Sequence, residues 1–307
     1  MKLFNSKETV VGEQKADGDF HLPLGSFAQY KVRIFYIIVF VASTVCFGIS
    51  WGTELKDNKA LKEQQMSLQE DMLAANSEKA MVSEETSELV ANTELIEEVS
   101  PVMLAEYENL YKQNEDFIGW LRIEDTVIDY PVMQCAEDEN FYLSYDFYKE
   151  ENKNGCLILD NDSNAGIGTM EQGYVNGTKP STNLIIHGHT MKSGQMFGDL
   201  KLYQDEEYGL SHNIICFNSL YEKREYELIA VFYSQVYYKS SDVFKYYAFF
   251  QADKQEEFDD WYNNIKEMSL YDTGVTAEFG DEFITLSCCA YHVTDGRFVV
   301  VAKRVYS

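Results

Sequence analysis

Basic residues are scarce in this chain: 25 Lys and Arg stand against 51 Asp and Glu, a formal charge of -26 over 307 residues. A phosphate backbone is bound by clustered Lys and Arg, so this balance excludes a nucleic-acid-binding role and fits a self-repelling, soluble domain. Cysteines are few and scattered, at 46, 135, 156, 216, 288 and 289, with no C-x-x-C pair among them. That pattern excludes a disulfide scaffold and the recognised zinc spacings, and most of these thiols are expected to be small buried hydrophobes. Two further absences divide the N-terminal third: no charge occurs from Ile34 to Trp51, and no aromatic from there to residue 100.

The charge-free run is 18 residues long, about enough to cross a bilayer core, and Lys31 and Arg33 lie at its near edge. We read 32–52 as a single uncleaved transmembrane anchor. A signal peptide is the rival, disfavoured by the length of the run and the lack of a small-x-small site after it. Residues 1–31, interrupted by Gly12, Gly18, Pro23 and Gly25, read as a short cytoplasmic tail. Lys56, Lys59 and Lys62 compete with the basic pair, but a short tail next to it places the N-terminus inside and the rest of the chain outside. Residues 53–100 read as an acidic, solvated and partly helical stalk. Leu61, Leu68 and Ala75 repeat at seven, as do Met66 and Leu73, a pattern too broken for a coiled coil.

Ser100 as N-cap and Pro101 at the first helical position predict a helix carrying Leu104, Tyr107, Leu110 and Tyr111, and a globular domain over 101–307. The period then changes to two. Strands are expected at Trp120–Ile123, Thr126–Met133, Gly155–Asp160, Asn183–His187, Ile214–Asn218, Glu225–Tyr238, Glu282–Cys289 and Phe298–Tyr306. About eight strands in roughly 200 residues predict a mostly β domain, a closed barrel or sandwich. One helix interrupts them, at about 252–268, directly before the strand that carries two adjacent cysteines.

Alternation separates those cysteines. Ile284, Leu286 and Cys288 share an apolar face, whereas Thr285, Ser287 and Cys289 share the other, so Cys288 is expected in the core and Cys289 at a substrate. Thr285 and Ser287, on the face of Cys289, are the candidate substrate contacts. The turn Ala290–Gly296 should return the chain antiparallel and set Arg297 across from Cys289. A guanidinium there favours the thiolate and can hold an oxyanion. A third member is expected where the strand NLIIHGH ends in a Gly turn; His189, just past the turn, is the candidate for proton transfer.

These residues carry a resemblance. TLSCC with Arg297 resembles the TLxTC…R signature of sortases, the cysteine transpeptidases of Gram-positive cell envelopes, with Cys289 on the signature cysteine. NLIIHGHTM…GQMFGDL is similar to the sortase histidine segment and puts the family's His on His189. DFIGWLRIEDTVIDYPVMQ, NFYLSYDFY and NGCLILD, and the helix ending in SLYDTGV, resemble class B sortases in particular. Cys288 departs from the pattern, which has Thr before the nucleophile. The resemblance implies a closed eight-stranded barrel with an N-terminal helix and a helix inserted before the cysteine strand, working without a cofactor or metal. It further implies cleavage of a C-terminal sorting motif in exported proteins through a Cys289 thioester, and transfer to an amine of peptidoglycan or its precursor. Loop 161–182 and the inserted helix are expected to shape the groove. The alternatives are a pilin-joining sortase, a non-enzymatic envelope-binding barrel, and a zinc site at His187, His189, Cys289 and His292.

Overall fold

The computed structural model describes residues 25–86 and 100–306; most of the expected cytoplasmic tail and residues 87–99 of the expected stalk lie outside them. Met1–Glu54 and Leu55–Ser307 form separate compact units. Helix α1, Gly25–Thr86, runs through the boundary. Its N-terminal part contains a stretch long and apolar enough to cross a membrane, none of it buried.

Within the second unit, α1 is less solvated than expected. Leu61 and Leu68 are buried, Met72 and Ala75 half-buried, and Met66 and Leu73 on the other side are exposed. The seven-residue repeat is therefore a true apolar stripe, but its partner is the barrel, since Leu61 and Leu68 join two different cores of the domain. Polar contacts flank the stripe: Gln65 Nε2 donates to the Asp129 carbonyl at 2.6 Å and Gln69 Nε2 to Asp129 Oδ2 at 2.7 Å.

All eight expected strands form, and they close into a barrel. In chain order the elements are α2 Ala105–Gln113, β1 Phe117–Arg122, β2 Asp129–Met133, β3 Leu157–Leu159, β4 Asn183–Gly188, α3 Glu206–Ser211, β5 Ile214–Ser219, β6 Glu225–Gln235, α4 Gln255–Met268, β7 Phe283–Cys289 and β8 Gly296–Val305. Neighbours around the ring run β1-β2-β3-β4-β7-β8-β6-β5, and β5 pairs with β1 to leave no free edge. Only the β2–β3 and β4–β7 pairs are parallel among the eight. The second of these matters most, because it lays the end of the histidine strand beside the end of the cysteine strand.

Period-two alternation fills the inside. Leu184 and Ile186 of β4, Ile284, Leu286 and Cys288 of β7, and Phe298, Val300 and Ala302 of β8 belong to one buried core. The alternate residues Phe283, Val299 and Val301 face outward and are covered by α4. That helix buries Phe258, Trp261 and Ile265, spaced at three and four on one face, with the Trp261 ring stacked on Phe249 at 4.4 Å. The Glu257 carboxylate accepts the Asp253 and Lys254 N–H groups at 2.9 and 3.2 Å and so caps its start.

The first helix of the domain begins later than its sequence suggests. Ser100-Pro101 lies before α2, whose N-cap position is Leu104, extended and without a side-chain cap. The Leu104 N–H is instead taken by the Leu220 carbonyl at 2.7 Å, so tertiary contact fixes the start of this helix where capping chemistry would have placed it four residues earlier.

Candidate active site

The site is built on the outward face of three adjacent strands. In the β7–β8 register Cys289 stands opposite Arg297 and Cys288 opposite Phe298. In the parallel β4–β7 register His187 stands opposite Ser287 and Gly188 opposite Cys288. His189, the first residue past the end of β4, lines the same cleft as Cys289, and the next residue, Thr190, donates its hydroxyl to the Cys289 carbonyl at 2.6 Å. The floor is two rows deep: His189, Cys289 and Arg297 in front, His187 and Ser287 behind.

Cys288 and Cys289 part as alternation requires. Cys288 is 2% exposed and its thiol is pushed up to about 11 by burial, so it stays protonated at neutral pH. Cys289 is exposed at the strand end. Gly188, the register partner of Cys288, has no room for a side chain: a Cβ there would lie 2.6 Å from both Leu157 Cδ2 and Phe197 Cδ2. This packing fixes the glycine between the two histidines.

Both histidines are held by one ring nitrogen. His189 Nε2 is 2.8 Å from the Leu143 carbonyl oxygen, which can only accept, so Nε2 carries a proton and Nδ1 is the atom left to exchange one. The turn after it is closed by the Phe197 N–H on the His189 carbonyl at 3.0 Å. His187 Nε2 lies 3.1 Å from Asp160 Oδ2. Arg297, half-buried, donates to the carbonyls of Asp295 and Gly296, at 3.3 and 3.0 Å. Among the described residues it has no carboxylate within salt-bridge distance, so most of its five N–H donors remain uncommitted.

Together these side chains line a cleft of about 500 Å3 whose walls come from irregular segments, with Glu139, Asn140 and Leu143 on one side and Val236, Tyr246 and Tyr247 on the other. Tyr246 OH and Ser287 Oγ are 2.7 Å apart, and burial holds the Tyr246 phenol above its ordinary range. The structure thus brings His189, Cys289, Arg297 and Ser287 to one cleft, Ser287 with its hydroxyl already engaged. Thr285 is not brought there: it is 1% exposed and donates to Asn183 Oδ1 at 2.8 Å. It shares a face with Cys289, but further down the strand that face is covered.

Two expected groove elements also lie elsewhere. Loop 161–182 is bound at the far end of the barrel, with the Met170 N–H donating to Glu222 Oε1 at 2.8 Å and Arg304 Nη1 donating to the Tyr174 hydroxyl at 3.2 Å. Helix α4 does not line the cleft, whereas the segment leading to it does. The cleft walls obey no period and so leave little trace in the sequence; the aromatic pair Tyr246-Tyr247 is the one local signal. Among the described residues no group of three or more His, Cys, Asp and Glu is placed to hold a metal, and the His292 ring packs on Tyr233 at 4.7 Å.

No protein-family profile matches the chain. Sortase B of Listeria monocytogenes is 32% identical over 203 residues, a match spanning 65% of this chain and 74% of that protein. The crystal structure of sortase B from Bacillus anthracis matches with a TM-score of 0.56 at 28% identity, covering 68% of this chain and 88% of that one. A Staphylococcus aureus sortase B–substrate complex matches with a TM-score of 0.55 at 25% identity, covering 66% and 86%.

Proposed function

The chain belongs to the sortases, as a class B-like cysteine transpeptidase, and from that premise we propose that Cys289, His189 and Arg297 carry its chemistry. The observation that supports this most is the front row of the floor, in which an exposed thiol stands between a guanidinium without a carboxylate partner and a histidine with one ring nitrogen free.

The Cys289 thiolate attacks the carbonyl of the Thr in the C-terminal sorting motif of an exported protein. Arg297 holds the carbonyl oxygen and the charge that develops on it. Imidazolium His189, kept in orientation by the Leu143 carbonyl, delivers a proton to the leaving amine through Nδ1, and the C–N bond breaks to leave a thioester. An amine of peptidoglycan or its precursor then takes the acyl group, and the protein is joined to the wall. Ser287 and Tyr246, tied to each other, form the floor behind the nucleophile against which substrate rests.

The surrounding architecture suits that role. Residues 32–52 anchor the enzyme in the membrane with the 1–31 tail in the cytoplasm, and 53–100 connect the anchor to a catalytic domain at 101–307 outside the cell. Part of the connection, around Leu61 and Leu68, is packed on the barrel.

The test is mass spectrometry of products from a small library of sorting peptides, with and without amine acceptors, using the full-length protein. Cys289→Ala should abolish cleavage and Cys288→Ala should leave substantial activity. Retained cleavage in Cys289→Ala would sink the assignment.

A further inference from the structure

Thioester formation as described leaves His187 in the back row of the floor unused, yet this second histidine sits in an organised setting. His187 and Asp160 both line the cleft, with side chains 32% and 23% exposed, enough to exchange protons with water. Asp160 is fixed in place: Oδ1 accepts the Asp162 N–H at 3.0 Å, and its own N–H donates to the Ile185 carbonyl at 2.9 Å. An ionised carboxylate can only accept, so His187 donates from Nε2 and turns a free Nδ1 lone pair elsewhere.

Transfer to an amine has a proton balance that the front row cannot close. An ammonium group has three N–H protons and the amide it becomes has one, so two must leave. After the first half-reaction His189 has given up its proton and can take back one. Cys289 departs as thiolate and takes none. One proton is left without an acceptor.

Charge points the same way. Arg297 at one side of the cleft repels an incoming ammonium, whereas the carboxylates lining it, Asp160 and Glu139, attract one. The remaining titratable groups lining the cleft are His189, assigned to the other proton, Cys289, which leaves as thiolate, Tyr247, and Tyr246 and Cys288, which burial keeps neutral.

We propose that His187 and Asp160 form the acceptor-amine site, a reading that rests on acyl transfer at Cys289. The ammonium docks against this pair, and His187 Nδ1 takes its first proton while the Asp160 carboxylate stabilises the imidazolium. The neutral nitrogen then forms a C–N bond to the thioester carbonyl. As the tetrahedral adduct collapses, the C–S bond breaks, its electron pair returns to Cys289, and the second proton passes to His189. His187 releases the first proton to water, and thiolate and imidazolium are restored for the next cycle.

The experiment uses the full-length protein in detergent with His187→Gln and Asp160→Asn variants and a cleavable sorting peptide at about pH 6.5. Acceptors are triglycine and diaminopimelic acid, both protonated there, since an α-amino group titrates at about 7.7–8.0. Hydroxylamine, already neutral at that pH, is the third acceptor. The ratio of transferred to hydrolysed product should fall about ten- to a hundred-fold with the two ammonium acceptors and change less than about two-fold with hydroxylamine. An equal fall with all three acceptors overturns the proposal by assigning the pair a structural role, and no fall with any also overturns it. Wild-type protein that forms the hydroxamate but transfers to neither ammonium acceptor overturns the wall-amine reading. Absence of hydroxamate from the wild type overturns acyl transfer at Cys289 itself.

Discussion

Arg297 and Arg304 sit near opposite ends of one strand, β8, and use the same side chain for opposite purposes. Seven positions apart on a period of two, they face opposite sides of the sheet. Arg304, 5% exposed, bonds Glu282 Oε2 at 2.6 Å, Glu222 Oε1 at 2.8 Å and the Tyr174 hydroxyl at 3.2 Å. Beside it Arg224 donates to Glu222 Oε2 at 2.7 Å and to the Ala165 carbonyl at 2.8 Å. This end of the barrel is closed by a network that also ties down loop 161–182. Among the described residues Arg297, by contrast, hydrogen-bonds only two backbone carbonyls close to itself in sequence. A guanidinium whose donors are taken holds a fold together, and one whose donors remain available can hold a substrate.

The closed end of the barrel should be the more sensitive to substitution. Arg304→Met should cost about 3–5 kcal/mol of stability, because it leaves Glu282 without its buried partner and Glu222 with Arg224 alone. Denaturant unfolding checks this, and a loss below about 1 kcal/mol would mean that the network does not close the barrel. At the open end Arg297→Lys should lower kcat/KM about 10²- to 10³-fold, since an ammonium cannot reproduce the fork that meets an oxyanion, while stability changes by no more than about 0.5 kcal/mol. A variant that loses stability and keeps its rate would reverse the roles assigned to the two arginines.

Acid should separate the ends further. Burial alone would raise the Glu222 carboxyl, but the Met170 N–H, Arg224 and Arg304 outweigh it and hold the group below its ordinary value of 4.5. Its stabilising contribution is complete above pH 4.5 and is lost as the pH falls below that towards the depressed folded value. Unfolding midpoints measured from pH 6 to 3 should fall across that lower window, and Glu222→Gln should flatten the dependence. The smallest effect belongs to Cys288→Ala, which removes about one methylene's worth of buried volume, roughly 1 kcal/mol, and should retain most of the turnover. A loss as large as that of Cys289→Ala would show that Cys288 does more than pack.

What could be read from the residues follows the same division. Period-two alternation gave all eight strands and assigned Cys288 to the core and Cys289 to the surface, because a buried interior enforces that period. It does not tell which part of the outer face is covered, so Thr285 reads as available although it is buried with its hydroxyl on Asn183. The seven-residue repeat of Leu61 and Leu68 was visible, but nothing local reveals that its partner is a barrel surface formed later in the chain. The Ser100-Pro101 cap was outweighed by the Leu220 carbonyl, a contact across more than a hundred residues. Leu143 and Tyr246, which orient His189 and Ser287, come from irregular segments whose positions depend on the closed barrel.

Of the two adjacent thiols, only Cys289 is proposed to form the acyl-enzyme. Trapping the enzyme with a sorting peptide, digesting it under mildly acidic conditions and locating the thioester by mass spectrometry tests this directly. The acyl group is predicted on Cys289, with Cys135, Cys156, Cys216 and Cys288 unmodified. An adduct on Cys288, or turnover without any thioester, would contradict it.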